Sequence, residues 1–315
     1  MKNIWHQQKT PLFILAPMEA VTDIVFRKVV DRAARPDMYF TEFTNATGWV
    51  NAGDIAVGGR LDKSDDEQPI IAQLWGGVPE DMAALAKHCK TLGYDGIDIN
   101  MGCPDKSAIK SGGGAALITN PELAQSMIAA AKTAELPVSV KTRLGYSSVK
   151  EYEQWLRFLL EQDISALTIH LRTKKEMSKV PAHWDILSGI VDLRDKIAPQ
   201  TMIIANGDIR DRSHGQSIVD QYHVDGVMIG RGVFNNPFAF EKQPATHAKE
   251  ELVQLLHFHL DLYDKRGEKK RKFETLKRFF KIYIRDFEGA SELRNQLMQT
   301  RDTTEVRALL DTLIS

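Results

Sequence analysis

GIDINMGCPDKSAIKSGGGAALITNPELAQSMIAAAKTAELPVSVKTR, residues 96–143, reads as two buried strands joined by a helix. GIDINMG (96–102) and VSVKTR (138–143) are short apolar runs rich in β-branched residues. Between them, NPELAQSMIAAAKTAE (120–135) has helical spacing, with Asn120 placed to cap it and Pro121 in the first turn, where a missing N–H is harmless. Near-continuous apolar strands alternating with helices imply a parallel sheet covered on both faces.

The same unit recurs on either side. FILAPM (13–18), YFTEF (39–43) and IIAQLW (70–75) precede it, and ALTIHL (166–171), MIIANG (202–207) and GVMIG (226–230) follow. PEDMAALAKHCKTLG (79–93) is another amphipathic connection. Eight such strands in roughly 240 residues match the size of a TIM barrel. A doubly wound open sheet is the competitor, but no GxGxxG fingerprint follows the first strand. Past NNPFAFEKQPATHAKEE (235–251), with Pro237 and Pro244, prolines and strand-like runs stop. Leu252, Leu255, Leu256 and His259, then Leu276, Phe279, Phe280 and Ile284, fall at helical spacing. The predicted fold is α/β: a (β/α)8 TIM barrel in residues 1–240, followed by a small C-terminal all-helical domain in residues 241–315.

With 315 residues, 43% hydrophobic and 26% charged, the composition is that of an ordinary globular chain. Cys89 and Cys103 are too few for a disulfide framework, and a reduced compartment is expected. The apolar run Leu12 to Ala16 is too short for a signal segment or a membrane span. The chain therefore reads as cytoplasmic and monomeric, with no membrane partner. A net charge of −1 excludes a whole-molecule field for polyanions, so any cationic surface must be local.

Catalytic groups of a TIM barrel sit at the C-terminal ends of its strands. Those positions hold Pro17 and Met18, Gln73, Asn100 with Cys103 just beyond, Lys141 and Arg143, His170, Asn206-Gly207-Asp208, and Gly230-Arg231. Lys141 lies inside a strand, where a buried ammonium calls for an anionic partner. Glycines 207 and 230 with Arg231 follow the last two strands, the usual phosphate site of this fold. No glutamate base stands at a strand end, which argues against a sugar-phosphate isomerase. A cradle for phosphate, an inward lysine and polar amides together suit FMN, with the lysine stabilising the reduced ring's negative charge.

APMEAVTDIVFR (16–27), DINMGCP (98–104), KTRLG (141–145), HLRT (170–173), ANGDI (205–209) and MIGRG (228–232), in that order, resemble the tRNA-dihydrouridine synthases. The resemblance spans residues 13 to 232 and is most specific in the first two motifs. It departs at HLRT, where family members often have HGRT, and at the triple glycine 112–114. It implies an FMN enzyme, reduced by NADPH or NADH, that reduces a uridine in tRNA to 5,6-dihydrouridine. Pro17 and Met18 would lie against the isoalloxazine. Gln73, Lys141 and His170 would hydrogen-bond the flavin, and Asn206, Gly207, Asp208, Gly230 and Arg231 would hold its ribityl phosphate region. Asn100 and Arg143 would meet a flipped-out base. Hydride would go to C6, and Cys103, in a glycine-rich loop expected to be mobile, would protonate C5. No metal is expected. The alternative is an FMN-dependent TIM-barrel reductase acting on a free pyrimidine or enone, which would not need a basic tail.

Such a tail exists. KRGEKKRKFETLKRFFKIYIR (265–285) holds ten Lys or Arg against two Glu. Its aromatics, Phe273, Phe279, Phe280 and Tyr283, read as core, and Lys269, Lys270, Arg271 and Lys272 read as a surface for the RNA backbone.

Overall fold

The structure, a computed structural model, describes residues 3–266 and 271–312. At its centre, parallel strands form a barrel: β1 (Leu12–Leu15), β2 (Tyr39–Phe40), β3 (Thr44–Asn45), β4 (Ile70–Trp75), β5 (Gly96–Met101), β6 (Val138–Arg143), β7 (Ala166–His170), β8 (Met202–Asn206) and β9 (Gly226–Ile229). The order is β1-β9-β8-β7-β6-β5-β4-β2, with β3 also on β4. The ring closes between β1 and β2, where Asp37 N donates to Phe13 O (2.9 Å) and Leu15 N to Met38 O (3.3 Å). All eight expected strand positions are present. The second is split into β2 and β3: Thr41 N still donates to Ile71 O (3.1 Å), but Gln73 N donates to the Thr41 side chain, Oγ1, and the Glu42 side chain accepts from Ala20 N.

Register decides which side chains share the interior, since they alternate along each strand. Asp98 lies between Gln73 and Ser139, Asn100 beside Lys141, Lys141 beside Thr168, Arg143 beside His170, and His170 beside Asn206. Toward the strands' N-terminal ends the interior is apolar, with Leu12, Ile14, Ile71 and Ile204 packed over the fully buried Trp5. Toward their C-terminal ends it turns polar.

Around the barrel lie α1 (Ile4–Gln7), α2 (Ile24–Ala33), α3 (Ala46–Ala56), α4 (Pro79–Thr91), α5 (Lys106–Lys110), α6 (Pro121–Lys132), α7 (Tyr152–Leu160), α8 (Leu187–Ile197), α9 (Arg212–Tyr222) and α10 (Gly232–Asn235). In α6 the Asn120 side chain accepts from Leu123 N (3.2 Å), and Ala124, Met127, Ile128 and Ala131 form the buried stripe. The tail adds α11 (Lys249–Arg266), α12 (Phe280–Tyr283), α13 (Ala290–Gln299) and α14 (Thr303–Asp311). Among the described residues no helix is long and apolar enough to cross a membrane.

The basic stretch is not one continuous helix. α11 ends at Arg266, residues 273–275 and 277–279 are 3-10 turns, and only Phe280–Tyr283 is α-helical beyond them. Its aromatics are core, as expected: Phe279 stacks on Phe26 of α2 at 4.8 Å, and Tyr283 OH shares a 2.7 Å hydrogen bond with His259 Nδ1. Burial pushes the His259 pKa down to about 4, so the ring is neutral there.

Arg271 departs from its expected role. Its guanidinium donates to Glu42, a carboxylate with no exposed surface, and also faces Asp23 at 3.7 Å. Arg266 joins the same cluster through Asp62 (2.8 Å) and Asp23 (3.5 Å). Arg271 thus fastens the tail to the barrel, leaving Lys272 exposed, while Lys269 and Lys270 lie outside the described residues.

Removing one partner of a buried ion pair strands the other. Arg271→Ala should lower stability by about 3–5 kcal/mol in urea denaturation. Adding Glu42→Gln to that variant should recover much of the loss, because the stranded charge is then gone. Failure to recover would mean that Arg271 acts by packing rather than by charge.

Candidate active site

At the C-terminal ends of the strands lies a cavity of about 520 Å³, within the usual range for small-molecule sites. The structure brings most of the expected residues into its wall: Pro17 and Met18 from the end of β1, Lys141 and Arg143 from β6, His170 from β7, Asn206, Gly207 and Asp208 from β8, and Gly230 and Arg231 after β9. Arg210, Ser178 and Asn235 also line it, though nothing in their sequence context singled them out.

The wall is cationic. Lys141 Nζ donates to Asn206 Oδ1 at 3.1 Å, and Asn206 Nδ2 donates to Met228 O at 2.7 Å. Burial, aided by Arg143, pushes the Lys141 pKa down to about 8, while Asp98 opposes the shift. Burial also lowers Arg143 to about 10, which leaves it charged at neutral pH. Asp208 is the acidic residue in the wall, and its carboxylate is already neutralised. Oδ2 accepts from Arg172 and from Ala182 N, and Oδ1 accepts from Arg231 at 3.0 Å. The aspartate thus sits at the expected end of the cavity as an anchor for arginines, with backbone φ of +50° just after Gly207 at +129°.

His170 has one possible tautomer. Arg172 NH1 lies 2.9 Å from His170 Nε2, and a guanidinium has no lone pair to offer, so Nε2 accepts. The proton is therefore on Nδ1. Burial and the surrounding cations, Lys141 first, hold the ring far below its ordinary pKa, so it is neutral. Arg172 belongs to the HLRT motif, and its role was not read from sequence.

Gln73 and Asn100 stand lower than expected. Gln73 has no exposed surface, and its carboxamide is engaged on both sides, by Asp98 and by Asn100. Asn100 is also buried, with its Oδ1 accepting from both Gly102 N (3.1 Å) and Cys103 N (2.9 Å). Both support the cavity from beneath and do not form its wall.

Cys103 sits half-buried on this turn, and the turn is held tightly. Besides the two N–H bonds to Asn100, Gly102 O accepts from Arg143 Nε (2.7 Å) and Cys103 O from Ala115 N (2.9 Å). The glycine-rich segment is packed against the turn. Gly114 has φ +56°, and a Cβ there would stand 2.8 Å from Cys103 O. Burial pushes the Cys103 thiol above its ordinary pKa, so it stays protonated at neutral pH. Cys89, buried on α4, is pushed up to about 12.

The donor set suits FMN. A phosphate would find Arg210, Arg231 and the Gly207 and Gly230 backbone, and a polar ring edge would find Lys141 and the His170 Nδ1–H. Among the described residues no group of three or more His, Cys, Asp or Glu could hold a metal.

Lys141 carries a testable stability effect. It loses its proton near pH 8 in the fold and near 10.5 when unfolded. The unfolded chain then binds more protons across that window, so stability rises with pH there. At about 1.4 kcal/mol per pH unit, the penalty at neutral pH reaches ~3 kcal/mol. Lys141→Met should therefore stabilise the flavin-free protein at pH 7 and flatten the rise between pH 8 and 10 in urea denaturation. A destabilised variant would show that the bond to Asn206 outweighs the buried charge.

The family model described as dihydrouridine synthase matches residues 14–315. A probable tRNA-dihydrouridine synthase 2 of Bacillus subtilis (strain 168) is 54% identical over 312 residues, covering 98% of this chain and 96% of that protein. A probable tRNA-dihydrouridine synthase of Staphylococcus aureus (strain COL) is 53% identical over 312 residues, with 98% and 95% covered. Among solved structures, a 2-naphthoyl-CoA reductase complex superposes with a TM-score of 0.52 at 11% identity, over 72% of this chain and 48% of that one, a likeness of fold alone. By the extent of the family match and the identity to these relatives, the chain belongs to the dihydrouridine synthase family.

Proposed function

We propose that this chain is a tRNA-dihydrouridine synthase, in which Cys103 donates the proton that completes reduction of the uracil C5=C6 bond. The observation that carries this reading is a protonated, half-buried thiol on a locked turn, braced by Arg143 beside a cationic cavity. Residues 1–240 form the catalytic domain and residues 241–315 the tRNA-binding domain. The chain works as a monomer in the cytoplasm.

Bound FMN, reduced by NADPH or NADH, supplies the hydride that C6 of uracil accepts. The chain's own residues do the rest. Lys141 and the Nδ1–H of His170 hold the polar edge of the ring, and Pro17 and Met18 pack its face. Asn206, Gly207, Asp208, Gly230 and Arg231 hold the ribityl phosphate end, with Asp208 acting through Arg231 and its backbone. Arg143 orients the extruded base, and Asn100 acts from beneath by holding the N–H groups of Gly102 and Cys103. Cys103 Sγ gives its proton to C5. The thiolate left behind is stabilised by the Arg143 charge, which lowers the thiol's pKa against the effect of burial.

The main test is Cys103→Ala in the FMN-loaded enzyme. Uridine reduction in tRNA should fall by about 100-fold or more, within the range general acids supply. NADPH oxidation by dioxygen and flavin content should stay near wild type. A variant that still reduces uridine at the wild-type rate would remove Cys103 as the donor. Mapping dihydrouridine in tRNA from a deletion strain, complemented with wild type, tests the substrate. If no position loses the modification, tRNA is the wrong substrate.

For the tail, replacing Lys269, Lys270 and Lys272 with Gln should weaken tRNA binding. It should also flatten its salt dependence by about 0.7–0.9 in log–log slope per lost phosphate contact. An unchanged affinity and slope would place RNA docking elsewhere on the molecule.

A further inference from the structure

Asp98 is completely buried in the barrel and heads a chain of hydrogen bonds that ends on the Cys103 backbone. Its Oδ1 accepts from Ser139 Oγ at 2.6 Å, and its Oδ2 from Gln73 Nε2 at 2.7 Å. Gln73 Oε1 accepts from Asn100 Nδ2 at 3.0 Å. Asn100 Oδ1 then accepts from Cys103 N at 2.9 Å and Gly102 N at 3.1 Å.

The chain has a direction. A carboxylate only accepts, so it settles which end of the Gln73 carboxamide faces it. Gln73 must then turn its oxygen to Asn100, and Asn100 must turn its oxygen to the two backbone N–H groups. Reversing either amide would set donor against donor among buried groups, at about 1–3 kcal/mol for each unsatisfied group. Carboxamides alone could not choose between the two polarities; the donor-only N–H groups of residues 102 and 103 favour this one at the far end, and the acceptor-only carboxylate of Asp98 locks the same one from the head.

We infer that Asp98 is a positioning residue for proton transfer: through Gln73 and Asn100 it sets the backbone of residues 102–103, and with it the Cys103 thiol. The inference rests on the reading of Cys103 as the proton donor. It also gives Gln73 a role that does not need contact with the flavin.

The test uses FMN-loaded variants, assayed in parallel for uridine reduction in tRNA and for NADPH oxidation by dioxygen. Asp98→Leu removes the acceptor at similar volume. It should lower kcat for uridine reduction about 10–100-fold, the scale of an ångström-level misplacement, with KM for tRNA within about twofold of wild type and a much smaller loss in NADPH oxidation, which Asp98 reaches only through Lys141. Gln73→Glu sets two carboxylates against each other once the proton they share is lost, so it should show the same split at alkaline pH, where it is compared with the double variant. Combining Gln73→Glu with Asp98→Asn restores the polarity. The new carboxamide donates to the new carboxylate, which still accepts from Asn100, and uridine reduction should return to within about threefold of wild type. If Asp98→Leu does not fold, the Gln73→Glu and double-variant pair decides.

A second readout needs no turnover. In flavin-free protein, iodoacetamide alkylation of Cys103, read by mass spectrometry with buried Cys89 as the internal control, should speed up severalfold in Gln73→Glu and return to the wild-type rate in the double variant. The inference is overturned if uridine reduction and NADPH oxidation fall together, if the double variant is no better than Gln73→Glu, or if Asp98→Leu reduces uridine at the wild-type rate. Cys103→Ala separates the two levels. If it still reduces uridine, the donor reading has failed. If it is inactive while Asp98→Leu is fully active, only the positioning role has.

Discussion

A closed parallel barrel sends every second strand residue inside, and below the cavity at its mouth it shields those residues from bulk solvent. Everything in the site follows from how this chain meets that constraint. Leu12, Ile14, Ile71 and Ile204 meet it with hydrocarbon, sealed from below by Trp5. Above them the interior residues are polar, and each must find a partner within the ring. Asp98 finds Gln73 and Ser139, Lys141 finds Asn206, and Asn206 finds a backbone carbonyl of β9. Register places Lys141 between Asn100 and Thr168, one step above the pair formed by Asp98 and Ser139. Asp98 is thus near enough to offset part of the cost of the buried ammonium. The polar ladder is both the solution to burial and the frame of the site.

The tail is joined to this frame by charge as well as by apolar packing. Pro17 and Met18 at the cavity run directly into residues 19–23, a segment held from several directions. Glu42 accepts from Ala20 N (2.6 Å), Glu19 pairs with Arg60, and Asp23 faces both Arg266 and Arg271. Arg278 donates to Ala20 O at 3.1 Å. Three arginines of the tail therefore grip the segment that continues from the wall of the cavity. A displacement of the tail would be felt at Met18, so a domain read as an RNA surface also braces the catalytic one.

Much of this was legible in the sequence, for physical reasons that also mark where legibility ends. Apolar runs and N-caps are local signals, so the eight strand positions and α6 with its Asn120 cap stand where expected. Motif residues at strand ends inherit their position from the barrel, so nine of the ten expected cofactor residues reach the cavity wall, Gln73 being the exception. What failed depended on distant partners. Arg271 looked like its lysine neighbours in a basic run, and only Glu42, 229 residues away, distinguishes it. The triple glycine looked like slack, whereas Gly114 permits close approach to Cys103 O and Gly113 to Gly76 O. Gln73 looked like a ligand-facing amide, and Asp98 went unnoticed beside Asn100. Parity alone could have flagged Asp98, since residues 98 and 100 share a face of the strand.

The same surroundings support the proposed role of Cys103 as an acid. A nucleophilic cysteine needs its thiolate stabilised in the resting state, by a helix N-terminus or a nearby cation that outweighs desolvation. Here burial is the largest effect; the Asp105 N–H and, less strongly, Arg143 oppose it without overcoming it, so the resting thiol keeps its proton. Once the proton leaves for carbon, the balance changes. The residue becomes an anion beside a guanidinium that was already in place, holding Gly102 O through Nε and the carbonyls of Thr173 and Met177 through NH1. Arg143 does not have to move to meet the new charge, so its attraction is felt after proton transfer and hardly before it. A thiol that is neutral at rest and stabilised once ionised is the arrangement a proton donor to C5 requires.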